Sequence, residues 1–176
     1  MSDASSKINP ADLARNVLKH YLEKGRMPEL PAPLSPEYRE KAGAFVSLKK
    51  RGRLRGCIGT IEPVRENLAA EIAANAVSAA LRDPRFPPVN REELPELSIS
   101  VDILSPLERI SSEGDLDPKK YGVMVCSGLH SGLLLPDLEG VDTVGEQIRI
   151  ARQKAGIEPG EPVELYRFKV TRYGEK

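Results

Sequence analysis

The sequence predicts a two-lobed α+β fold, in which two hairpin-helix-strand units form a mostly antiparallel curved sheet with helices packed outside. The order hairpin, helix, strand occurs at 44–60, 64–81 and 97–104, and again at 122–135, 143–155 and 163–171. Apolar residues repeat at every second position in the predicted strands and at every third or fourth in the predicted helices. The halves share this pattern with little sequence identity, so we expect two related lobes whose sheets join.

The length of 176 residues fits one domain or two small lobes that share one core. We expect an N-terminal helix and proline-rich connection at 9–43, lobe one at about 44–106 and lobe two at about 115–173.

The first helix is predicted over 9–24. Asn9 can cap it, Pro10 suits its first position and Gly25 ends it. Its apolar stripe is formed by Leu13, Val17, Leu18, Tyr21 and Leu22. The next segment, 27–36, holds four prolines and should be extended.

Lobe one begins with strands at 44–49 and 53–60 around a turn at 50–52. A long helix over 63–81 follows, with a narrow face made of Leu68, Ile72, Ala76 and Ala79. The proline-stiffened loop 83–88 presents Arg85 and Phe86, and such rigid loops often bind ligands. A structural alternative is that Phe86 closes the core and Arg85 pairs with Asp83.

The end of lobe one is a capped turn followed by a strand. Asn90 can cap the turn, with Glu93 as its capping-box partner. The strand 97–104 alternates apolar and polar residues, which places Asp102 on the polar face as a solvated carboxylate.

Lobe two repeats the pattern of lobe one. Strands at 122–127 and 132–135 flank a loop at 128–131 that carries His130. Thr143 caps a helix that Gly156 ends, and 163–171 is the last strand.

The stretch Leu54-Arg55-Gly56-Cys57-Ile58-Gly59-Thr60 is the one place where local composition has no simple structural explanation. Read as a strand, it places Arg55, Cys57 and Gly59 on one face. A thiol then lies two residues from a guanidinium, and the glycines let a ligand or another backbone approach.

This string, together with Asp83-Pro84-Arg85-Phe86-Pro87-Pro88 and Glu93-Leu94-Pro95-Glu96-Leu97, resembles the AMMECR family. It is similar to the short bacterial and archaeal members known as AmmeMemoRadiSam system protein A. The resemblance runs from about Phe45 to the C-terminus. It implies a two-lobed α+β fold with a cleft between the lobes, and it carries no established activity.

Three functions are candidates, two of them from these residues and one from the resemblance. Cys57 could act as a nucleophile, with Arg55 favouring the thiolate and His130 as the only spare histidine on a loop, although no triad or oxyanion-hole motif is present. A second function is the binding of a small anionic ligand or substrate. Its candidate ligand-binding residues are Arg55, Gly56, Gly59, Thr60, Arg85, Phe86 and His130.

The third function is an accessory role. The resemblance implies companions, a radical S-adenosylmethionine (SAM) enzyme and a Memo-type protein, because members occur alongside both. An RNA- or translation-associated role is a further alternative. A purely structural alternative is that Gly56 and Gly59 relieve crowding where two sheets meet while Arg55 bridges a carboxylate of the other lobe.

Composition narrows these possibilities. Twenty-six basic and 26 acidic residues balance, which argues against a general nucleic-acid binder. Two cysteines and two histidines without metal-ligand spacing predict no metal site, no cofactor and no disulfide. No window approaches the roughly 18 apolar residues of a membrane span, and Met1 to Asn9 lacks the apolar core of a secretory signal. A cytoplasmic location is therefore expected.

Overall fold

The computed structural model describes residues 7–32 and 34–175, which form an α+β fold as the sequence predicts. Most of the polar N-terminus and Pro33 lie outside the described residues. The described helices are α1 (Pro10–Lys24), α2 (Pro36–Arg39), α3 (Leu68–Leu81) and α4 (Val144–Ala155). The strands are β1 (Ala44–Lys50), β2 (Arg53–Thr60), β3 (Leu97–Leu104), β4 (Glu108–Ile110), β5 (Gly122–Ser127), β6 (His130–Leu134), β7 (Glu164–Phe168) and β8 (Val170–Gly174).

The chain divides into two compact units, residues 1–103 with 171–176 and residues 104–170. In the first unit the strand order is β2-β1-β3-β8. Helices α1 and α3 pack together, and α3 lies against β1 and β2. The core beneath them contains fully buried side chains from neighbouring strands, among them Val46, Leu48 and Val101.

In the second unit the strand order is β4-β7-β5-β6, and α4 packs on β5 and β6. Both units therefore contain a hairpin, a helix on that hairpin, and a third strand that pairs antiparallel with the first hairpin strand. A close approach of strand to helix recurs as well. A Cβ added to Gly56 would lie 2.2 Å from the Ala79 carbonyl oxygen, and one added to Gly132 would lie 2.3 Å from that of Ala151.

The last predicted strand, 163–171, is divided into β7 and β8, and each unit takes one of them. The strands thus form two four-stranded sheets where the sequence predicts one joined sheet. Lys169 marks the break. Its N–H donates to the Ser105 hydroxyl, and its carbonyl accepts from the Ser105 N–H. The backbone groups of Lys169 therefore bond to Ser105 and not to a neighbouring strand. The short strand β4 was not predicted.

Helix α3 begins at Leu68 rather than at Pro63, because Glu71 holds the preceding residues in a turn. The Glu71 carboxylate is buried and accepts hydrogen bonds from the backbone N–H groups of Val64 and Arg65, at 3.0 and 2.8 Å. It also accepts from the Thr60 hydroxyl. Asn67 then caps the helix, so the true start lies after the turn.

Two further local predictions are wrong. Asp102 is only 3% exposed and forms two hydrogen bonds with Arg172, at 2.7 and 2.8 Å, instead of being solvated. The second hairpin turns at two residues, 128–129, and His130 already belongs to β6. The cap residues Asn9 and Thr143 and the C-terminal glycines 25 and 156 are confirmed.

Candidate functional site

The candidate site lies on the face of the first sheet that is turned away from α3. Residues directly opposite each other in a sheet share a face. Cys57 on β2 is opposite Ser47 on β1, which is opposite Ser100 on β3. The Cys57 sulfur lies 3.2 Å from the Ser47 hydroxyl oxygen. We call Cys57, Ser47 and Ser100 the Cys57 row.

The neighbouring positions on this face differ in character. On one side the Phe45 ring lies over Gly59, where an added Cβ would meet it at 2.2 Å. On the other side Lys49 pairs with Leu54 and Ser98 in the register. Lys49 is exposed, and among the described residues it has no carboxylate partner. The Cys57 row is thus bordered by an aromatic ring and by a cation.

The loop that carries Arg85 and Phe86 is pinned to the outer edge of β2. The Asp83 carboxylate accepts from the Cys57 N–H at 3.0 Å, and Arg85 donates to the Cys57 carbonyl at 3.2 Å. Arg85 also donates to Asp83 at 2.7 and 3.0 Å, which confirms the pairing that the structural alternative predicts. Asp83 and Arg85 thus bind the N–H and the carbonyl of Cys57. Because β2 is an edge strand, these two backbone groups would otherwise be open for pairing with another strand.

The electrostatics of this loop follow from the same contacts. Asp83 is 5% exposed. Hydrogen bonds from Arg85, aided by the N–H of Cys57, hold the pKa of the Asp83 carboxyl well below its usual range. The Arg85 guanidinium also lies 5.5 Å from the centre of the half-buried Phe86 ring. The guanidinium beside Cys57 is therefore that of Arg85.

Arg55 is directed elsewhere. The register of β1 with β2 shifts between Leu48 and Lys49, which leaves Arg55 in a β-bulge. The alternation that would place Arg55 beside Cys57 is therefore broken. Its guanidinium donates to Glu93 at 2.7 and 3.1 Å, and Lys50 lies 3.4 Å from the same carboxylate.

The Arg55–Glu93 pair is largely buried, with side chains 13% and 12% exposed. Hydrogen bonds from Arg55 lower the pKa of Glu93. The Nη1 atom of Arg55 is buried, and among the described residues it has no hydrogen-bond partner. Asn90 caps the Glu93 N–H as predicted, but the Glu93 carboxylate binds Arg55 instead of closing a capping box.

The other sequence-predicted site residues fall into two groups. Gly56 and Thr60 face α3: Gly56 accommodates the Ala79 carbonyl, and the Thr60 hydroxyl bonds to Glu71 and to Asn75, the latter at 3.1 Å. His130 belongs to the second unit, where it is exposed on the β5–β6 hairpin. The fold thus brings Arg85 to Cys57, which has Gly59 two residues further along β2, and the Phe86 ring lies beside the Arg85 guanidinium.

Sequence reasoning missed Ser47, Ser100 and Lys49 as site residues. Their signal was present, because each occupies a polar position in an alternating strand. Only the strand register shows that these positions meet at Cys57. The sequence predicts Glu93 as part of a capping box. Its pairing with Arg55 depends on the β-bulge, which the sequence pattern does not reveal.

The second unit provides an internal comparison for the Cys57 row. Gly132 pairs with Val125 as Gly56 pairs with Leu48. The next pair in the second unit is Leu133 with Met124, and Met124 is opposite Tyr166. The same architecture therefore forms with apolar and aromatic side chains at the positions of Cys57, Ser47 and Ser100. Packing alone does not require a thiol and two hydroxyls there.

Three general properties concern the described part of the chain. Neither cysteine forms a disulfide there. No group of three or more His, Cys, Asp or Glu side chains in residues 7–32 and 34–175 is arranged to hold a metal ion. No helix in those ranges combines the length and hydropathy needed to cross a membrane.

Comparison with known proteins places these features in a family. The model of the AMMECR1 family matches residues 11–174. A protein of Thermotoga maritima is 54% identical over 164 residues, which cover 91% of this chain and 94% of that protein. A protein of Clostridium acetobutylicum is 52% identical over 93% of this chain, but the match covers only 35% of that longer protein.

A solved structure agrees with the fold. The crystal structure of an uncharacterized protein from Pyrococcus horikoshii has a TM-score of 0.87 and 33% sequence identity, and the match covers 95% of this chain and 90% of that one. The family match and these relatives, together with the Leu-Arg-Gly-Cys-Ile-Gly strand, lead to one conclusion. The chain belongs to the AMMECR1 family.

Proposed function

We propose that this protein binds a small anionic ligand or substrate on the sheet face formed by the Cys57 row, and that it acts as an accessory protein. The observation that carries the proposal is the contrast between Cys57, Ser47 and Ser100 and their counterparts in the second unit, which are the apolar Leu133 and Met124 and the aromatic Tyr166. Binding sites combine a mostly apolar surface with a few converging polar groups, and this row supplies such groups.

The charge of the first hairpin supports an anion. Five basic residues lie between Lys49 and Arg55, and the carboxylates that contact them are Glu93 and Glu96. Arg55 and Arg85 already have carboxylate partners. An incoming anion would therefore be held mainly by the Lys49 ammonium and by the neutral donors of the Cys57 row.

The accessory role rests on what surrounds Cys57. Its side chain bonds to a serine, and its described contacts include no histidine or lysine that could act as a base. A radical SAM enzyme and a Memo-type protein are the candidate partners, from the resemblance alone. The relative in Clostridium acetobutylicum, which carries this domain within a longer chain, supports a domain that works together with other protein modules.

Ligand binding is tested by thermal melting and calorimetry with three probes: inorganic phosphate, succinate and AMP. A probe at a hundred times its Kd stabilises the folded state by about 2.7 kcal/mol and raises the melting temperature. Lys49→Gln should weaken binding about tenfold, because it removes one charge-assisted contact. The control is Lys19→Gln, an exposed lysine on α1 with the same change of charge.

Two results would contradict the proposal. Either none of the three anions changes the melting temperature, or Lys49→Gln and Lys19→Gln weaken binding equally. The accessory role is tested separately, by co-purification with the candidate partners. A complex that persists with Cys57→Ala supports it, and its absence with all candidates counts against it.

Cysteine catalysis is the second candidate, and the Arg85 guanidinium beside Cys57 favours it. Iodoacetamide alkylation, followed by mass spectrometry, compares Cys57 with Cys126. If Cys57 reacts at least tenfold faster, and Arg85→Gln removes the difference, the nucleophile function replaces simple binding. Similar rates for the two cysteines support the binding function.

A further inference from the structure

A groove on the helical side of the first unit is separate from the Cys57 row. It has a volume of about 580 Å³. Its floor is a face of α3 that carries Ala70, Ala73, Ala74 and Val77 at helical spacing; Ala70 and Ala74 are half-buried, and Ala73 and Val77 are buried. The side chains along this floor are small, so another chain can approach the α3 backbone closely.

The walls of the groove are apolar and exposed. Met27, in the segment after α1, forms one wall and is 43% exposed. Val64, in the turn before α3, also lines the groove and is 72% exposed. Among the described residues, these two are half of the four exposed large hydrophobic side chains, which also include Leu54 and Leu129. Exposed apolar side chains that converge on one groove are typical of an interaction surface.

The ends of the groove are positively charged. Arg65 lines it just before α3, and Arg82 lines it just after α3. Both are exposed, and neither forms an ion pair with a described carboxylate. Glu66 is the one acidic residue in the lining. The 14 residues of α3, which the two arginines flank in the sequence, span about 21 Å, or roughly four helical turns.

We propose that this groove binds an amphipathic helix of a partner protein, with an apolar stripe against α3 and acidic residues at both of its ends. Small residues on the floor suit the close approach of a helix, and an apolar stripe at i, i+3, i+4 and i+7 is the usual pattern for helices bound in grooves. Carboxylates near the ends would meet Arg65 and Arg82.

A second copy of this chain fits the groove poorly. If two α3 helices paired antiparallel, Arg65 of one copy would meet Arg82 of the other. If they paired parallel, each arginine would meet its own equivalent. Both arrangements place like charges together in a partly buried interface, which is unfavourable. The charge pattern therefore selects a different, acidic partner.

The test uses two fluorescein-labelled helical peptides of about four turns. Both carry a leucine stripe, and they differ only in having glutamates or lysines at the two ends. Fluorescence anisotropy against the full chain should show binding of the glutamate peptide only. The double change Arg65→Glu with Arg82→Glu should weaken that peptide about tenfold and give binding of the lysine peptide.

Two further sets of variants test whether the peptide binds in this groove. Lys41→Glu with Lys154→Glu makes the same change of charge at exposed positions outside the groove and should leave both peptides unaffected. Ala74→Tyr fills the floor and should abolish binding, with circular dichroism confirming the fold of each variant. The proposal is overturned if both peptides bind equally, if neither binds, or if Ala74→Tyr leaves the affinity unchanged. It is also overturned if sedimentation shows a dimer that the arginine reversals dissociate.

Discussion

Replacing Asp83 with asparagine removes the charge that holds loop 83–86 to β2. The side chain is 2% exposed and accepts hydrogen bonds from the Cys57 N–H and from the backbone and guanidinium of Arg85. An asparagine keeps one acceptor oxygen, but its NH₂ group then faces an N–H of Cys57 or Arg85, and two donors cannot form a hydrogen bond. Because the Arg85 side chain is 55% exposed, solvent screens much of the ionic attraction, and the loss comes mainly from the buried hydrogen bonds.

That loss is about 2–3 kcal/mol of the free energy of unfolding, since hydrogen bonds to a charged group contribute about 1.5–3 kcal/mol. For a chain of this length it lowers the melting temperature by about 5–10 °C. The matched control is Asp142→Asn, whose carboxylate is 75% exposed beside Lys119 and whose change costs less than about 0.5 kcal/mol. Thermal melts at neutral pH measure both.

The Asp83→Asn variant should also differ from wild type in how its stability depends on pH. The folded pKa of Asp83 lies below its ordinary value of 3.8. Its contribution to stability is therefore complete above that value and is lost as the pH falls through the folded pKa. Wild type should lose stability below about pH 4 more steeply than Asp83→Asn does. An equal melting temperature at neutral pH, or parallel acid profiles for the two proteins, would refute the pinned loop.

The remaining predictions concern packing and the buried ion pair. Gly56→Ala and Gly132→Ala should each destabilise their unit by about 3 kcal/mol, since the new Cβ meets a helix carbonyl that cannot rotate away. Gly174→Ala, with nothing within 4 Å, is the control in denaturant titrations, and a neutral Gly56→Ala would contradict the packing role. Glu93→Gln should cost about 3 kcal/mol by leaving the Arg55 charge buried without its partner, and Glu96→Gln, 43% exposed, should cost little. Equal effects of the two glutamine variants would argue against the buried pair.

The elements that the sequence predicts well are those whose signals are local. The cap at Asn9, the glycine at the end of α1 and the strand over 97–104 each depend on neighbouring residues, and the structure confirms them, although the alternation within that strand fails at Asp102. The start of α3 could not be predicted in the same way. It depends on Glu71 reaching back to the preceding turn, and a helical pattern over 63–81 does not reveal that contact.

The candidate site was predictable only in part. Cys57 and Arg85 were identified because a thiol and an arginine stand out in their stretches. Their meeting depends on Asp83, which binds Cys57 across 26 residues of chain. Another backbone approaches Gly56, which is one of the predicted possibilities, but it is that of α3 and not that of a second sheet. Alternation also fails at Arg55, because one bulged residue reverses the side to which it points.

The most direct measurement of the central claim is a ¹H–¹⁵N NMR titration of the full chain with inorganic phosphate. The account predicts that the backbone amides of Ser47, Cys57 and Ser100 shift together and saturate with one Kd, and that Lys49→Gln weakens this Kd while Lys19→Gln does not. Shifts confined to other surfaces, or amides of the Cys57 row that do not move at saturating phosphate, would contradict anion binding at this face.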